Sequence, residues 1–248
     1  GLANCERLWG DRIFWQALFN SVRYMVLTLV LLVPIPLVLA ALVNSSIGSA
    51  RIKGFFKASM FVPALTSVVV AGIVFRLIFA ESDSAMMNQV AEFFGFGPVR
   101  WLRGDITGLV ALLAIALWRW TGVNMMYFLA GMQAIPSEYY EAASIDGAGK
   151  VRQFFHITLP NLRPTIVYVV TISVYGGLAM FLESFMLYAG NNSPNNQGLT
   201  VVGYLYRKGI EENDLGFASA VGVVLLVLVM AINITYLTAS GTFKKEAA

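Results

Sequence analysis

The sequence predicts an all-α membrane protein that crosses the bilayer several times. Of its 248 residues, 58% are apolar and 12% are charged, and the mean hydropathy is +0.70, far from the balance of a soluble globular domain. A bilayer core about 30 Å thick requires about 20 mainly apolar residues for each helical crossing. Five stretches of the chain meet this requirement, and the alternating pattern of a barrel strand is missing.

The five candidate spans form a single transmembrane domain over residues 1–248. A backbone in hydrocarbon must satisfy its own hydrogen bonds, so we expect each span to be a helix. The spans cover residues 18–43, 58–80, 106–132, 165–189 and 216–240. The sequence opens at Gly1 without Met, and the polar stretch before the first span lacks the basic region and cleavage pattern of a signal peptide. We therefore expect an N-terminal segment to be missing.

Lysines and arginines in the polar segments predict which side faces the cytoplasm. The short loop from Asn44 to Lys57 contains three basic residues and no acidic one, whereas the segments on the other side dilute their basic residues with acids. Cytoplasmic loops of membrane proteins carry an excess of Lys and Arg. We therefore expect this loop, the 137–164 segment and the C-terminus, with Lys244 and Lys245, to be cytoplasmic.

The composition argues against several chemical functions. The single cysteine, Cys5, cannot close an intrachain disulfide, and no cluster of Cys and His could hold a metal. The run from Asp146 to Lys150 is not a phosphate-binding loop, because Ser144 and Val151 stand where that motif requires Gly and Ser or Thr. The basic residues behind the formal net charge of +3 are scattered between apolar spans rather than gathered on one face, so we expect no nucleic-acid partner. We also expect no cofactor in this chain and no enzymatic activity of its own, with any ATP bound by another chain.

The segment between the third and fourth spans, Ser137 to Pro164, differs in composition from its surroundings and is predicted to fold. Pro136 and Ser137 form a helix start, and acidic residues in the first turns suit the positive end of the helix dipole. A short helix is expected to reach Ile145. Gly147 and Gly149 then offer backbone angles that other residues resist, so a second helical piece should follow over residues 151–156.

This segment resembles the cytoplasmic coupling loop of permease subunits of binding-protein-dependent ABC importers. In that family the loop has a Glu-Ala-Ala triplet, a Gly, and then Ile-x-Leu-Pro. The tail of this segment from Phe154 is more similar to the carbohydrate-uptake branch of the family than to its amino-acid or metal branches. The stretches beginning at Gly1, Met86 and Leu215 also resemble that branch, so the similarity covers nearly the whole chain. The matching loop positions are Glu141, Ala142, Ala143, Asp146, Gly147, Ile157, Leu159 and Pro160.

The resemblance implies a fold and a set of partners. It implies the transmembrane core of a sugar importer in the bacterial inner membrane, in which two permeases form the pathway and two ATPase subunits dock on their loops. An external binding protein would deliver the substrate. Relatives commonly carry a further N-terminal membrane helix, which fits a truncated chain here. The alternative for the loop is an amphipathic helix that lies on lipid headgroups without a partner.

Polar and small residues inside the spans are candidates for the substrate pathway. Arg119 lies near the middle of the third span, where a charge costs about 2.5 to 3.5 kcal/mol and usually faces protein or water. A structural ion pair, a position nearer a helix end and, for the small residues, packing between helices are alternatives. In the fourth span Ser173, Gly177 and Met180 precede Glu183 at helical intervals, so we expect these four residues to share roughly one face. The candidate pathway residues are Arg119, Trp120, Asn124, Ser173, Gly177, Met180 and Glu183.

Three other functions remain open at this stage. The chain could be an ABC importer permease for a solute other than a sugar, because no single sequence fixes the groups that recognise a sugar. It could be an ion-coupled secondary transporter, but no inverted repeat is found and Glu183 is the only acidic residue within the spans. It could also be a membrane scaffold without transport activity.

Overall fold

A computed structural model describes residues 3–45 and 49–242, which form helices and connecting turns without a strand among them. This confirms the predicted all-α class. The helices are α1 (Ala3–Trp9), α2 (Arg12–Leu32), α3 (Pro34–Asn44), α4 (Ala50–Leu65), α5 (Val68–Ile78), α6 (Met86–Phe93), α7 (Asp105–Gln133), α8 (Ser137–Ile145), α9 (Lys150–Gln153), α10 (Leu159–Asn161), α11 (Arg163–Leu178), α12 (Leu182–Leu187), α13 (Val201–Tyr206) and α14 (Leu215–Ala239).

Three stretches of the described chain are long and apolar enough to cross a membrane without a sharp bend. They are Arg12–Asn44, which joins α2 and α3, together with α7 and α14. Two further stretches are pairs of helices separated by a sharp bend: α4 with α5, and Lys150–Asn161 with α11. The predicted number of five spans is reached when each bent pair counts as one span.

Two of the predicted spans are interrupted by residues with non-helical backbone angles, which corrects the sequence-based bounds. In the span predicted over 58–80, Pro63 lies inside α4, and the helix ends at Leu65 before Ser67 adopts extended angles, with φ −54° and ψ 131°. In the span predicted over 165–189, α11 ends at Leu178, directly after two adjacent glycines. Proline removes a helical hydrogen bond and glycine weakens a helix, so both breaks have a local cause.

The basic segment used to predict the orientation is mostly helical rather than a loop. Helix α4 begins at Ala50, so Arg51, Lys53 and Lys57 lie in its first turns. Residues 46–48 and the C-terminal residues 243–248, which include Lys244 and Lys245, lie outside the described residues. The cytoplasmic placement of this segment therefore stays a prediction from charge.

The chain divides into two compact units. The first comprises Gly1–Thr28, Thr66–Leu117 and Val174–Ala248, and the second comprises Leu29–Leu65 and Trp118–Ser173. In the first unit, Arg23 donates two hydrogen bonds to Asp105, with nitrogen-to-oxygen distances of 2.6 and 2.8 Å. Its buried core consists of Leu8, Phe14, Ala17, Leu199, Val201, Tyr204, Phe217 and Val221.

The core of the second unit forms where α3, α7 and α11 pack together. It also receives Phe154 and Leu159 from the segment that follows α8, so that segment is held by apolar packing. In the same unit, α4 and α7 approach each other so closely that the backbone of Met60 lies against Gly122. The buried core residues are Leu37, Ala40, Val43, Met125, Phe128, Leu129, Met132, Leu162 and Val169.

Candidate functional site

The candidate site is the 137–164 segment, which lies entirely in the second unit. Helix α8 begins at Ser137 after Pro136 and carries Glu138 in its first turn, as the sequence predicts. It ends at Ile145, also as predicted. No side chain of α8 is buried in this chain. Seven of its nine residues are exposed and the other two, Tyr140 and Ala143, are half-buried, so most of the helix surface is available to a partner or to water.

A glycine turn ends α8. Gly147 has φ +77°, a conformation that a residue with a Cβ adopts only with strain. Its amide donates to the carbonyl of Ser144 at 3.1 Å, and the amide of Ala148 donates to the carbonyl of Ala143 at 2.8 Å. This pair of bonds is the Schellman arrangement, which satisfies the last carbonyls of a helix.

The structure corrects the role predicted for the second glycine. Gly149 has φ −68° and ψ 165° at the start of α9, an extended conformation that most residues adopt freely. Only Gly147 therefore needs the conformational freedom of glycine in this turn. The positive φ of Gly147 alone turns the chain from α8 into α9.

Gln153 holds the turn together, and the sequence analysis did not single it out. Its side chain is 4% exposed, and its Nε2 donates to the hydroxyl of Ser144 at 2.9 Å and to the carbonyl of Ala148 at 3.0 Å. Across the same corner, the hydroxyls of Tyr140 and Thr158 are 2.9 Å apart. These contacts connect α8 to the helical piece that follows it, so the two pieces form one elbow, residues 137–161.

The second piece of the elbow is longer than the 151–156 predicted. Helix α9 continues through a π-helical turn, Phe154–Thr158, into α10. Within this turn the amide of Leu159 donates to the carbonyl of Phe154, five residues back. Pro160 has no amide hydrogen to give the carbonyl of His156, so regular α-helical bonding is interrupted at this point.

The elbow exposes apolar side chains that nothing in the described chain covers. Ile145 is 87% exposed, Val151 is 73% exposed and Tyr139 is 51% exposed. The small Ala142 and the acidic Glu141 of α8 are exposed as well. Exposed apolar side chains on a segment that folds as one elbow are candidates for contact with a partner.

The eight positions predicted to contact an ATPase fall into two groups. Five lie at the surface, where they can reach a partner, and three are half-buried. Leu159 belongs to the second group and packs on the core of the second unit, so it anchors the elbow rather than extending its surface. The exposed group is Glu141, Ala142, Asp146, Gly147 and Pro160, and the half-buried group is Ala143, Ile157 and Leu159.

Arg119 and Trp120, two of the candidate pathway residues, lie next to each other in the second unit. The guanidinium carbon of Arg119 is 5.3 Å from the centroid of the Trp120 ring. The indole of Trp120 is 42% exposed. A cation held against an exposed aromatic face is one way of keeping a charge inside a span.

Asn124, also a candidate for the pathway, has a structural contact that the sequence analysis did not foresee. Its side chain is 3% exposed, and its Nδ2 donates to the carbonyl of Leu32 at 2.9 Å. In a regular helix that carbonyl would accept from residue 36, which is a proline without an amide hydrogen. Asn124 therefore satisfies a carbonyl that Pro36 leaves open at the junction of α2 and α3.

We expect Asn124→Ala to lower the stability of the purified protein by about 0.6 to 2 kcal/mol, the usual range for a hydrogen bond between membrane helices. The loss should be smaller in a Pro36→Ala background, because the restored amide can bond to Leu32. Thermal unfolding in detergent of the two single variants and the double variant measures this difference. Equal losses in both backgrounds would contradict the structural role.

The remaining four pathway candidates do not share one helical face, which corrects the spacing argument. Their spacing would place them on one face only in a helix that continued through residue 189, but Met180 lies in the break after α11 and Glu183 lies on α12. Phe181, at the break, has φ −143° and ψ −61°. Ser173 belongs to the second unit, whereas Gly177, Met180 and Glu183 belong to the first.

Gly177 has a packing role within the first unit. A Cβ built on it would lie 2.8 Å from the Cα of Met25 and 2.9 Å from its Cβ. Real Cβ atoms do not approach a backbone so closely, so α11 can lie against α2 at this point only because residue 177 is a glycine. This close approach favours the packing interpretation of Gly177.

Comparison with known proteins places the chain among transport permeases. The permease AraP of the arabinooligosaccharides transport system of Bacillus subtilis is 46% identical over 99% of this chain and 77% of its own length. The lactose transport permease LacF of Rhizobium radiobacter is 32% identical over 94% of this chain and 78% of its own length. Both similarities extend over most of the two chains that are compared.

Solved structures and a family model agree with this placement. A bacterial alginate ABC transporter, solved with an alginate pentasaccharide-bound periplasmic protein, has a chain with a TM-score of 0.88 at 22% identity, covering 99% of this chain and 84% of that chain. This likeness shows the fold. The model of the family described as "Binding-protein-dependent transport system inner membrane component" matches residues 24–243. The chain therefore belongs to the family of inner membrane components, or permeases, of binding-protein-dependent transport systems.

Proposed function

We propose that this chain is one of two permeases of an ATP-driven importer for a sugar oligomer, and that its elbow docks on an ATPase subunit. The observation that carries the proposal is the surface of α8. This helix is fixed at its C-terminal end by the Gly147 turn and by Gln153, yet it buries none of its own side chains. A rigid helix with an uncovered apolar side chain such as Ile145, 87% exposed, suits a protein partner.

The contacts of the elbow provide a route for movement. A force on α8 would pass through Gln153 and through the Tyr140–Thr158 pair to the π-helical turn. Phe154 and Leu159 would then pass it to the packed core of α3, α7 and α11. Such coupling between ATPase and pathway acts in both directions, because a binding free energy is shared between the two sites.

ATP is bound and hydrolysed by the partner subunits under this proposal, and this chain needs no cofactor. The run from Asp146 to Lys150 contains the Gly149–Lys150 pair of a phosphate-binding loop. However, Gly147 ends a helix there, and the glycine required five residues before Gly149 is replaced by Ser144. The residues of this run are better explained by the turn of the elbow than by a nucleotide site.

The similar permeases support a sugar oligomer as the substrate. AraP is named for arabinooligosaccharides and LacF for lactose. Both are more than 30% identical to this chain over more than nine-tenths of its length. We propose that an external binding protein delivers the sugar and that Arg119 with Trp120 contributes to the pathway wall, where an aromatic face and a charge could meet hydroxyl groups.

Replacement of Ile145 by glutamate tests the docking part of this proposal. Burial of an isoleucine side chain is worth about 1.5 to 3 kcal/mol, so the affinity for the ATPase should fall by about 10- to 150-fold. Ile210→Glu is the matched control, because Ile210 is 63% exposed and lies outside the elbow, in a π-helical turn. Co-purification of the ATPase with the wild type and the control, but not with Ile145→Glu, is the expected result.

Uptake of a labelled arabino-oligosaccharide into vesicles with the complete transporter tests the substrate. We expect ATP-dependent uptake that unlabelled oligosaccharide suppresses and an amino acid does not. If the ATPase co-purifies but no oligosaccharide is taken up, the sugar assignment is wrong and the docking proposal stands. If Ile145→Glu retains the ATPase as well as Ile210→Glu does, the docking surface is wrong.

A further inference from the structure

Helix α6, between the second and third spans, has three faces of different chemistry. Successive residues of a helix are rotated by about 100°, so Met86, Val90 and Phe93 share one face. Asn88 and Ala91 share a second face, and Gln89 and Glu92 share the third. The first face is exposed and apolar, the second is buried and the third is exposed and polar.

The second face fixes α6 to the rest of the first unit. Asn88 is 2% exposed, and its Oδ1 accepts from the amide of Val99 at 3.0 Å and from the indole nitrogen of Trp101 at 2.8 Å. Its Nδ2 donates to the carbonyl of Ser82 at 3.1 Å. The indole of Trp101 packs on Phe79 at the end of α5, with ring centroids 5.5 Å apart. The orientation of α6 is therefore set by a buried network.

The apolar face ends in three aromatic side chains that this fixed orientation leaves uncovered. Phe93 is 85% exposed, Phe94 is 69% exposed and Phe96 is 66% exposed. Gly95, between Phe94 and Phe96, has φ +81°, so the chain turns just after the end of α6 and before Phe96. A phenylalanine side chain carries roughly 150 to 250 Å² of apolar surface, so exposure of three of them to water is costly.

The surroundings of α6 indicate lipid as the material that covers this face. Helix α6 contacts α5, an apolar helix whose Val70 and Leu77 are 51% and 67% exposed. Helix α6 thus lies beside a helix of the membrane-spanning part. Arg100 is exposed nearby, and Arg103 is ion-paired with Glu81 at 2.7 Å. Basic residues that closely follow exposed aromatic residues in the sequence are typical of segments at the headgroup layer, where cations meet phosphates.

We propose that α6 lies in the headgroup region of the bilayer, as an anchor parallel to the membrane surface. Met86, Val90 and Phe93 enter the boundary between headgroups and acyl chains, while Gln89 and Glu92 face water. The position of Asn88 opposite the lipid makes the attachment rigid. The anchor fixes the depth in the bilayer of the segment between α5 and α7. This role does not depend on which substrate is transported.

Spin labels at neighbouring positions of α6 test this proposal. In the full chain carrying Cys5→Ser, single cysteines are introduced as Phe93→Cys, Val90→Cys and Glu92→Cys and labelled with a nitroxide. The protein is reconstituted with its partner subunits in vesicles of phosphatidylethanolamine and phosphatidylglycerol. Collision with oxygen, which concentrates in lipid, is compared with collision with a water-soluble nickel chelate.

We expect the labels at 93 and 90 to collide mainly with oxygen, at a depth of about 5 to 10 Å below the headgroups. The label at 92, one residue from 93, should collide mainly with the nickel chelate. If all three labels collide mainly with the nickel chelate, α6 lies in water and the proposal is overturned. Labels at 93 and 90 that neither reagent reaches would show a protein cover, and would overturn it equally.

Discussion

Replacement of Gly122 by alanine is expected to prevent the second unit from folding. A Cβ at this position would overlap the backbone carbonyl of Met60 and lie 2.9 Å from the backbone amide nitrogen of Phe61. Both atoms belong to the main chain of α4, so no rotation of a side chain can relieve the overlap. Overpacking of a core costs about 1 to 3 kcal/mol when side chains can adjust, and here the two helices themselves must separate.

The yield of monodisperse protein after extraction from membranes, together with its melting temperature, measures this effect. Gly176→Ala is the matched control, because Gly176 lies within α11 and a Cβ on it would meet nothing within 4 Å. That change should be neutral or should stabilise the helix by up to about 1 kcal/mol, since alanine favours helix. A Gly122→Ala protein with the yield and melting temperature of the wild type would contradict the close approach of α4 and α7.

The difference between these two glycines was not accessible from the sequence. Both lie in apolar stretches typical of membrane helices, and neither carries a local signal that shows which one touches another backbone. The same limit applies to Asn124. The sequence does not distinguish an Asn124 that lines a pathway from one that contacts another helix. The structure does, because it shows the Asn124 amide donating to the carbonyl of Leu32 that Pro36 leaves open.

The features predicted correctly are those that local chemistry controls. Apolar length predicts membrane helices whatever they pack against, and the bounds predicted for the last span, 216–240, are within one residue of α14. The start and end of α8 follow from Pro136, Ser137 and Gly147, all of which act on their own backbone. The length of the second piece of the elbow was wrong, because packing of Leu159 on a distant core extends it.

The breaks within the predicted spans could not be predicted from hydropathy. A hydropathy window counts apolar residues and does not register a turn that is itself apolar. The stretch 165–189 is mainly apolar, including the residues at the break, yet the helix ends at Leu178 and resumes at Leu182. The face proposed from the spacing of Ser173, Gly177, Met180 and Glu183 depended on a helix that does not continue.

Replacement of Gln153 by leucine is expected to separate ATP hydrolysis from transport. Leucine has a similar side-chain volume but lacks the amide that donates to Ser144 and to the carbonyl of Ala148. Each lost hydrogen bond costs about 0.5 to 1.5 kcal/mol, so the angle between α8 and α9 becomes loosely defined. The outer surface of α8, including Ile145, is unchanged, so the ATPase should still dock.

The stimulation of ATP hydrolysis by the substrate-loaded binding protein measures the coupling. A coupling free energy of 1 to 3 kcal/mol corresponds to about a 5- to 150-fold effect, and we expect Gln153→Leu to lose most of it. Gln133→Leu is the matched control, because Gln133 is exposed at the last residue of α7.

The two elbow variants should differ in what they lose. Ile145→Glu should lose the ATPase, whereas Gln153→Leu should keep the ATPase and lose the response to substrate. If Gln153→Leu responds to substrate as the wild type does, the hydrogen bonds inside the elbow do not transmit the movement. The packing of Phe154 and Leu159 on the core of the second unit would then be the remaining connection between α8 and the membrane helices.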